Sequence, residues 1–223
     1  MTQTGGRDAG GSSGQQDDGA TARRPRASIS TKRGDDGTTG LLFGGRVPKT
    51  SARIDCNGAV DEAQAALGLA RAELRRSRAT GPGAFGTDEL DALLVGLERD
   101  LWVLMAEVAT APRNRRKLQA GSTLVTVEMV EALGALVEKL EAADVMPAEF
   151  VVPGGNAASA ALDLARTVVR RAERLAVGAS IGEGSLVVPY LNRLSDVCWL
   201  LARAVEGDRV TARGARPRRR EGT

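Results

Sequence analysis

The sequence contains no histidine among its 223 residues. That removes Ser-His-Asp and Cys-His nucleophilic triads, His-ligated metals and imidazole acid–base chemistry together. Aromatic residues are also scarce, at 3% against 42% apolar residues in all. A core built from Ala, Leu and Val suits packed helices better than a sheet sandwich. There are two cysteines, Cys56 and Cys198, far apart in the chain. No signal peptide and no apolar run of about 18 residues accompanies them. Both are therefore expected as reduced thiols of a cytoplasmic protein. A mitochondrial transit peptide is the weaker alternative, because Asp8, Asp17 and Asp18 interrupt the Arg- and Ser-containing N-terminus.

The folded body also lacks the excess positive charge that the total of +3 suggests. Residues 1–27 hold four Arg and three Asp, and residues 209–223 hold six Arg and one Glu, which leaves −3 for 28–208. The basic character belongs to a tail, so a nucleic-acid-binding surface is a poor first reading. Residues 1–27 are rich in Gly, Ser, Gln and Asp. They cannot bury enough surface to offset the entropy of ordering and are expected to be disordered. The same is expected of the Arg-rich tail 208–223. Between the tails lies one domain, 28–207: a Gly- and Thr-rich loop over 28–57, then a helical bundle over 58–207.

Periodicity gives five helices in that bundle. The first runs from about Gly58 to Arg78. The second, about Thr87 to Ala109, places Leu90, Leu94, Leu97, Leu101, Leu104 and Val108 at alternating spacings of four and three. Thr87 is its expected cap. The third spans about Thr126 to Ala143 on Val130, Leu133, Val137 and Leu140. The fourth runs from about Asn156 to Val177, with Asn156 as cap after the Pro153-Gly154-Gly155 turn. The fifth covers about Val187 to Glu206 on Val187, Leu191, Leu194, Cys198, Leu201 and Val205, and Gly207 closes it. No segment alternates like a strand. The expected fold class is all-α, a five-helix bundle with disordered tails.

Chemistry concentrates on the fourth helix. Asp163, Arg166, Arg170, Glu173 and Arg174 share a face at spacings of three and four, beside an apolar stripe of Ala161, Leu164, Val168, Ala172 and Leu175. Guanidinium groups in a row make an anion site suited to phosphate oxygens. Taken alone, such a row is more often a surface ladder of ion pairs. On the fifth helix, Asn192 and Asp196 lie four apart on one face, by itself the pattern of a solvated surface. The loop Thr31-Lys32-Arg33-Gly34-Asp35-Asp36-Gly37-Thr38-Thr39-Gly40 lets backbone approach a phosphate chain. It lacks the Gly-Lys-Ser/Thr of a Walker A loop. Lys49 adds a cation.

In order, Thr31-x-x-Gly34-Asp35-x-Gly37-x-Thr39, Arg46-Val47-Pro48-Lys49, Gly58-x-Val60-Asp61-Glu62, Phe150-Val151-Val152-Pro153-Gly154-Gly155, Ala165-Arg166 through Glu173-Arg174, and Tyr190-Leu191-Asn192-Arg193-Leu194-Ser195-Asp196 resemble the PduO-type ATP:cob(I)alamin adenosyltransferases. The resemblance implies transfer of the 5′-deoxyadenosyl group of ATP to cob(I)alamin, with release of triphosphate. It implies a homotrimer with ATP bound between subunits. Thr31, Lys32, Arg33, Gly34, Asp35, Thr39, Gly40 and Lys49 would hold ATP on one side. Arg170, Arg171, Ala172, Glu173, Arg174 and Asn192 would hold it on the other. Asp61 and Arg166 would form the salt bridge that orders the site. Phe150 would stand below the corrin ring, with Asp196 also on the cobalamin side. Mg²⁺ would be held mainly through ATP phosphates, with Glu173 as a further candidate ligand. A cob(II)alamin reductase and an adenosylcobalamin-dependent enzyme are the implied partners. Asp36 places a negative charge in the loop, and Arg33 and Arg46 are the cations positioned to offset it. A non-catalytic adenosylcobalamin- or nucleotide-binding carrier is the alternative function.

Overall fold

A computed structural model describes Ser30 and residues 32–82 and 85–213. The expected tail 1–27, Thr31 and residues 214–223 lie outside the described residues. The chain divides into two units, Met1–Arg33 and Gly34–Thr223. Of the first, Ser30, Lys32 and Arg33 are described, all exposed, with Lys32 at a φ of 55°.

Among the described residues, the second unit holds five α-helices: α1 (Ala52–Ser77), α2 (Thr87–Val108), α3 (Val127–Ala142), α4 (Ala157–Gly178) and α5 (Val187–Val205), with a 3-10 helix over Pro112–Lys117. The most extensive packing is α1 on α4, followed by α4 on α5, α1 on α2 and α3 on α5. Small residues dominate the buried faces of the central pair. Ala59, Ala63, Ala66 and Ala70 line α1, and Ala158, Ala161, Ala165, Ala172 and Ala176 line α4. Alanine is the best helix former and lets helices approach closely, which explains a core with so few aromatics. The leucine stripe of α2 and the whole expected stripe of α5 are buried. Among the described residues, no helix is long and apolar enough to cross a membrane.

Several boundaries differ from the sequence reading, each for a local reason. Helix α1 starts at Ala52, not near Gly58. Gly58 lies on its exposed side and costs only about 1 kcal/mol relative to alanine there. The first turn is fixed instead by buried Arg53, whose Nη1 donates to the carbonyls of Val108 (2.6 Å) and Thr110 (3.0 Å) and whose Nη2 donates to Ser180 O (2.9 Å). Those are carbonyls at helix ends that intrahelical bonds leave unmet. The cap of α2 is Gly86, not Thr87, because the Thr87 hydroxyl donates to Ala79 O at 3.0 Å. Asn156 does cap α4. Its Oδ1 accepts the Ser159 N–H at 2.8 Å, and Ser159 Oγ accepts the Asn156 N–H at 3.2 Å. On α4 the buried stripe is rotated from the expected one. Leu164 is half exposed, while Asp163 is buried against Arg203.

The expectation of no strands fails in the loop. β1 (Thr38–Gly40) and β2 (Arg46–Pro48) form an antiparallel hairpin with Thr39 opposite Val47. Strands of three residues are too short to show a period of two. Leu42 N–H donates to Ala109 O at 2.9 Å and Asn114 Nδ2 to Phe43 O at 3.2 Å, which seats the hairpin at the end of α2. The stretch 208–213, expected as part of a disordered tail, pairs with 150–152. Val152 N–H donates to Val210 O and Ala212 N–H to Phe150 O, both at 2.7 Å.

Candidate functional site

The polar face of α4 comes out largely as its spacing suggests. Arg170 and Arg174 are exposed, and Arg174 Nη1 donates to Arg170 O at 3.0 Å. Arg171 forms an ion pair with Glu62 on α1. Asn192 Nδ2 on α5 donates to Glu173 Oε1 at 3.0 Å, and Arg193 Nη1 donates to Asn192 Oδ1 at 2.7 Å. The two helices thus share one polar patch. Ala172 is fully buried, on the packed side of α4, and takes no place in that patch.

The Asp61–Arg166 bridge is not made within one chain. Arg166 Nε faces Asp163 Oδ1 at 3.6 Å and, though buried, has no hydrogen-bond partner among the described residues. Asp61 is exposed on α1 and forms no ion pair among them.

In the loop, Lys49 N–H donates to Gly37 O at 2.9 Å, and the Lys49 ammonium lies over Gly34. A Cβ at Gly34 would stand 3.0 Å from Lys49 Nζ, so glycine leaves room for that approach. Asp36 accepts from Thr38 N–H at 2.9 Å and from its hydroxyl at 2.8 Å, and Arg46 Nη2 lies 3.3 Å away. The Thr38 backbone bond, chiefly, holds the Asp36 carboxyl below its ordinary range. Asp36 is therefore a staple of the loop whose charge Arg46 offsets. Thr39 and Gly40 lie on β1, and Asp35 is exposed.

Phe150 is 84% exposed. A packing role in the core is thereby excluded. It stands at a cleft of roughly 370 Å³ with Met146, Pro147, Trp199 and Ala212. Asp196 lines an adjoining cleft that shares Met146 and Trp199. The sequence reading missed Trp199 and Met146. The signal for Trp199 was its position three residues after Asp196, on the same face of α5. Neither cysteine belongs to a site. Burial pushes the Cys56 thiol up to about 11 and the Cys198 thiol up to about 12, so neither supplies a thiolate near neutral pH.

A cationic helix face and an apolar, aromatic-headed cleft thus occur on one small helical bundle. The sequence profile of the family described as cobalamin adenosyltransferase matches residues 29–205. The chain belongs to the cobalamin adenosyltransferase family. A corrinoid adenosyltransferase of Mycobacterium tuberculosis is 39% identical over 189 residues, covering 81% of this chain and 89% of that protein. One from Citrobacter freundii is 35% identical over 180 residues, covering 80% and 94%. Among solved structures, a variant PduO-type ATP:corrinoid adenosyltransferase from Lactobacillus reuteri complexed with cobalamin and ATP is similar at a TM-score of 0.68. It is 25% identical, with 85% of this chain and 98% of that one covered. The family match takes in the loop, both polar helices and Phe150, and it stops short of the paired segment 209–212.

Proposed function

We propose that this chain transfers the 5′-deoxyadenosyl group of ATP to the cobalt of a reduced corrinoid and releases triphosphate. The observation that carries this is the exposed Phe150 over an apolar cleft, in the same bundle as the open arginine face of α4. The names of the relatives agree with it.

The chemistry asks little of protein acids and bases. Cobalt(I) donates its electron pair to C5′, the C5′–O bond breaks, and the triphosphate leaves with that bonding pair. No proton moves, so a chain without histidine suffices. What the protein must supply is alignment of C5′ between cobalt and leaving group, which gains on the order of 7 kcal/mol or more in well-oriented displacements. It must also stabilise the charge that grows on the departing phosphates. Arg170 and Arg174 present forked donors for this, and Lys49 offers a point charge from the loop.

Among the described residues, no cluster of three acidic or thiol side chains could hold a metal. Mg²⁺ favours phosphate oxygens, water and one or two carboxylates over an all-protein cage, so its expected hold is through the ATP phosphates. Bound through the triphosphate, it would add neutralising charge there. Glu173 is the carboxylate on the arginine face, with one oxygen engaged by Asn192.

The loop wall and the α4 wall sit on different elements, and Asp61 is left without an ion pair among the described residues. We place the complete ATP site between subunits of a homotrimer, where Asp61 of one chain meets Arg166 of the next. The exposed Asp61 and the exposed Leu69, Trp102 and Leu164 support that arrangement. Phe150 fills the lower axial side of the corrin, where loss of the axial ligand eases reduction of cobalt(II). The Asp36–Arg46 pair answers the negative charge in the loop that motivated a carrier role.

Phe150→Ala is expected to lower turnover from cob(II)alamin by about tenfold and to leave the melting midpoint unchanged, because so exposed a side chain buries little. Turnover assays paired with thermal melts check this. The reading itself is tested by incubating the protein with ATP, Mg²⁺, cob(II)alamin and a reductant. A light-sensitive alkylcorrinoid is expected. Tight binding of adenosylcobalamin without any turnover would establish the carrier instead.

A further inference from the structure

Phe150 is held by little of its own packing, yet its proposed task needs a fixed position. Its backbone supplies one. Beyond Gly207, which turns the chain at a φ of 73°, residues 209–212 run antiparallel to 150–152. Ala212 N–H donates to the Phe150 carbonyl and Val152 N–H to the Val210 carbonyl, each at 2.7 Å, with Val151 opposite Thr211. The segment is itself anchored, since Arg209 Nη2 donates to the carbonyl of Arg203 at 3.0 Å.

Arg203 is a buried charge at the centre of this region. Its guanidinium is 1% exposed and lies 2.6 Å from Asp163 Oδ2 and 2.9 Å from Glu206 Oε2. Asp163 turns its other oxygen toward Arg166 Nε at 3.6 Å. Asn156 Nδ2 donates to the carbonyls of Val205 (2.6 Å) and Glu206 (3.0 Å). Gly155 packs so closely on Glu206 that a Cβ there would meet its Cγ at 2.5 Å. One buried network thus joins the α4 wall at Arg166, the end of α5, the turn after Phe150 and the segment that pairs with Phe150.

We infer that residues 209–212 are a strap that positions Phe150 over the corrinoid cleft, and that Arg209 is the positioning residue that ties the strap to the end of α5 through the Arg203 carbonyl. The inference rests on the reading that Phe150 meets the corrinoid. An exposed loop residue freed of its backbone partners must be ordered again at each binding event. That cost corresponds to about tenfold in apparent affinity. The strap lies outside the stretch matched by the family, 29–205.

The test uses Ala212→Pro, which deletes the N–H that Phe150 O accepts, and Arg209→Ala, which cuts the tie to Arg203. In the full-length protein each is expected to raise KM for cob(II)alamin about tenfold and to leave KM for ATP within about twofold. Ala212→Pro should also speed hydrogen exchange at the Val152 amide, with the melting midpoint held. Unchanged corrinoid KM in both variants overturns the inference. So does a joint rise of both KM values with a lowered melting midpoint, which would make the segment merely structural. If Phe150→Ala leaves both turnover from cob(II)alamin and corrinoid KM unchanged while Val152 exchange still responds to Ala212→Pro, the reading of Phe150 fails. The strap's role then falls with it, and the pairing alone stands.

Discussion

Arg170→Ala is expected to slow adenosyl transfer by about two to three orders of magnitude, the usual effect of deleting one preorganised donor to developing charge. The folded state should not notice. The Arg170 side chain is exposed and makes no ion pair among the described residues, and the bond it receives from Arg174 goes to its backbone carbonyl. Arg170→Lys keeps the charge but loses the planar fork, so it should recover only part of the rate. Arg171→Ala makes a useful contrast. It also breaks an exposed pair with Glu62, and such a pair contributes little stability. Steady-state kinetics in ATP, run beside thermal melts, separate these cases. Equal loss of activity and of melting midpoint in Arg170→Ala would show that the arginine face is a structural ladder after all.

The largest expected effect on stability is at Glu107. Its carboxylate is fully buried. It accepts from Arg115 Nη1 at 2.7 Å, Ser185 Oγ at 2.7 Å and Val125 N–H at 2.8 Å. Those partners come from the 3-10 helix, the connection between α4 and α5, and the segment before α3, so one side chain of α2 ties three loops together. Glu107→Ala leaves a partly buried guanidinium, a hydroxyl and a buried backbone N–H without their acceptor. A loss of about 3–5 kcal/mol is expected. Glu107→Gln keeps the shape but turns one oxygen into a donor facing donors, and it should fall between. Urea unfolding midpoints measure both. A change under about 1 kcal/mol in Glu107→Ala would mean that the three loops are held by packing instead.

Glu107 also marks where sequence reasoning stops. The stripes of α2 and α5 were legible because apolar residues recur at three and four along one helix, a local property. The arginine row on α4 was legible for the same reason. Glu107, Arg53, Asp163 and Arg203 each look like surface residues in the sequence. Their burial follows from partners far along the chain, as Asp163 and Arg203 are 40 positions apart. No periodicity encodes that pairing, and it is why the apolar stripe of α4 was placed too close to Leu164. The hairpin at Thr38–Pro48 was hidden because three-residue strands leave no alternation to read. Arg46 was legible as a cation able to offset Asp36, but only the hairpin pairing brings the two within 3.3 Å. The exposure of Phe150 was not readable either. Only the fold distinguishes an exposed aromatic from one that closes a core, and only the fold shows the backbone pairing behind Phe150.

The central claim is that C5′ of ATP, and not a phosphate, is the centre attacked. ATP labelled at C5′ and, separately, at the γ-phosphate decides it in one experiment with reduced cobalamin and the full-length protein. The C5′ label is expected to move onto a light-sensitive corrinoid while all three phosphates leave together as triphosphate. Release of ADP or orthophosphate, with no C5′ label on the corrinoid, would contradict it.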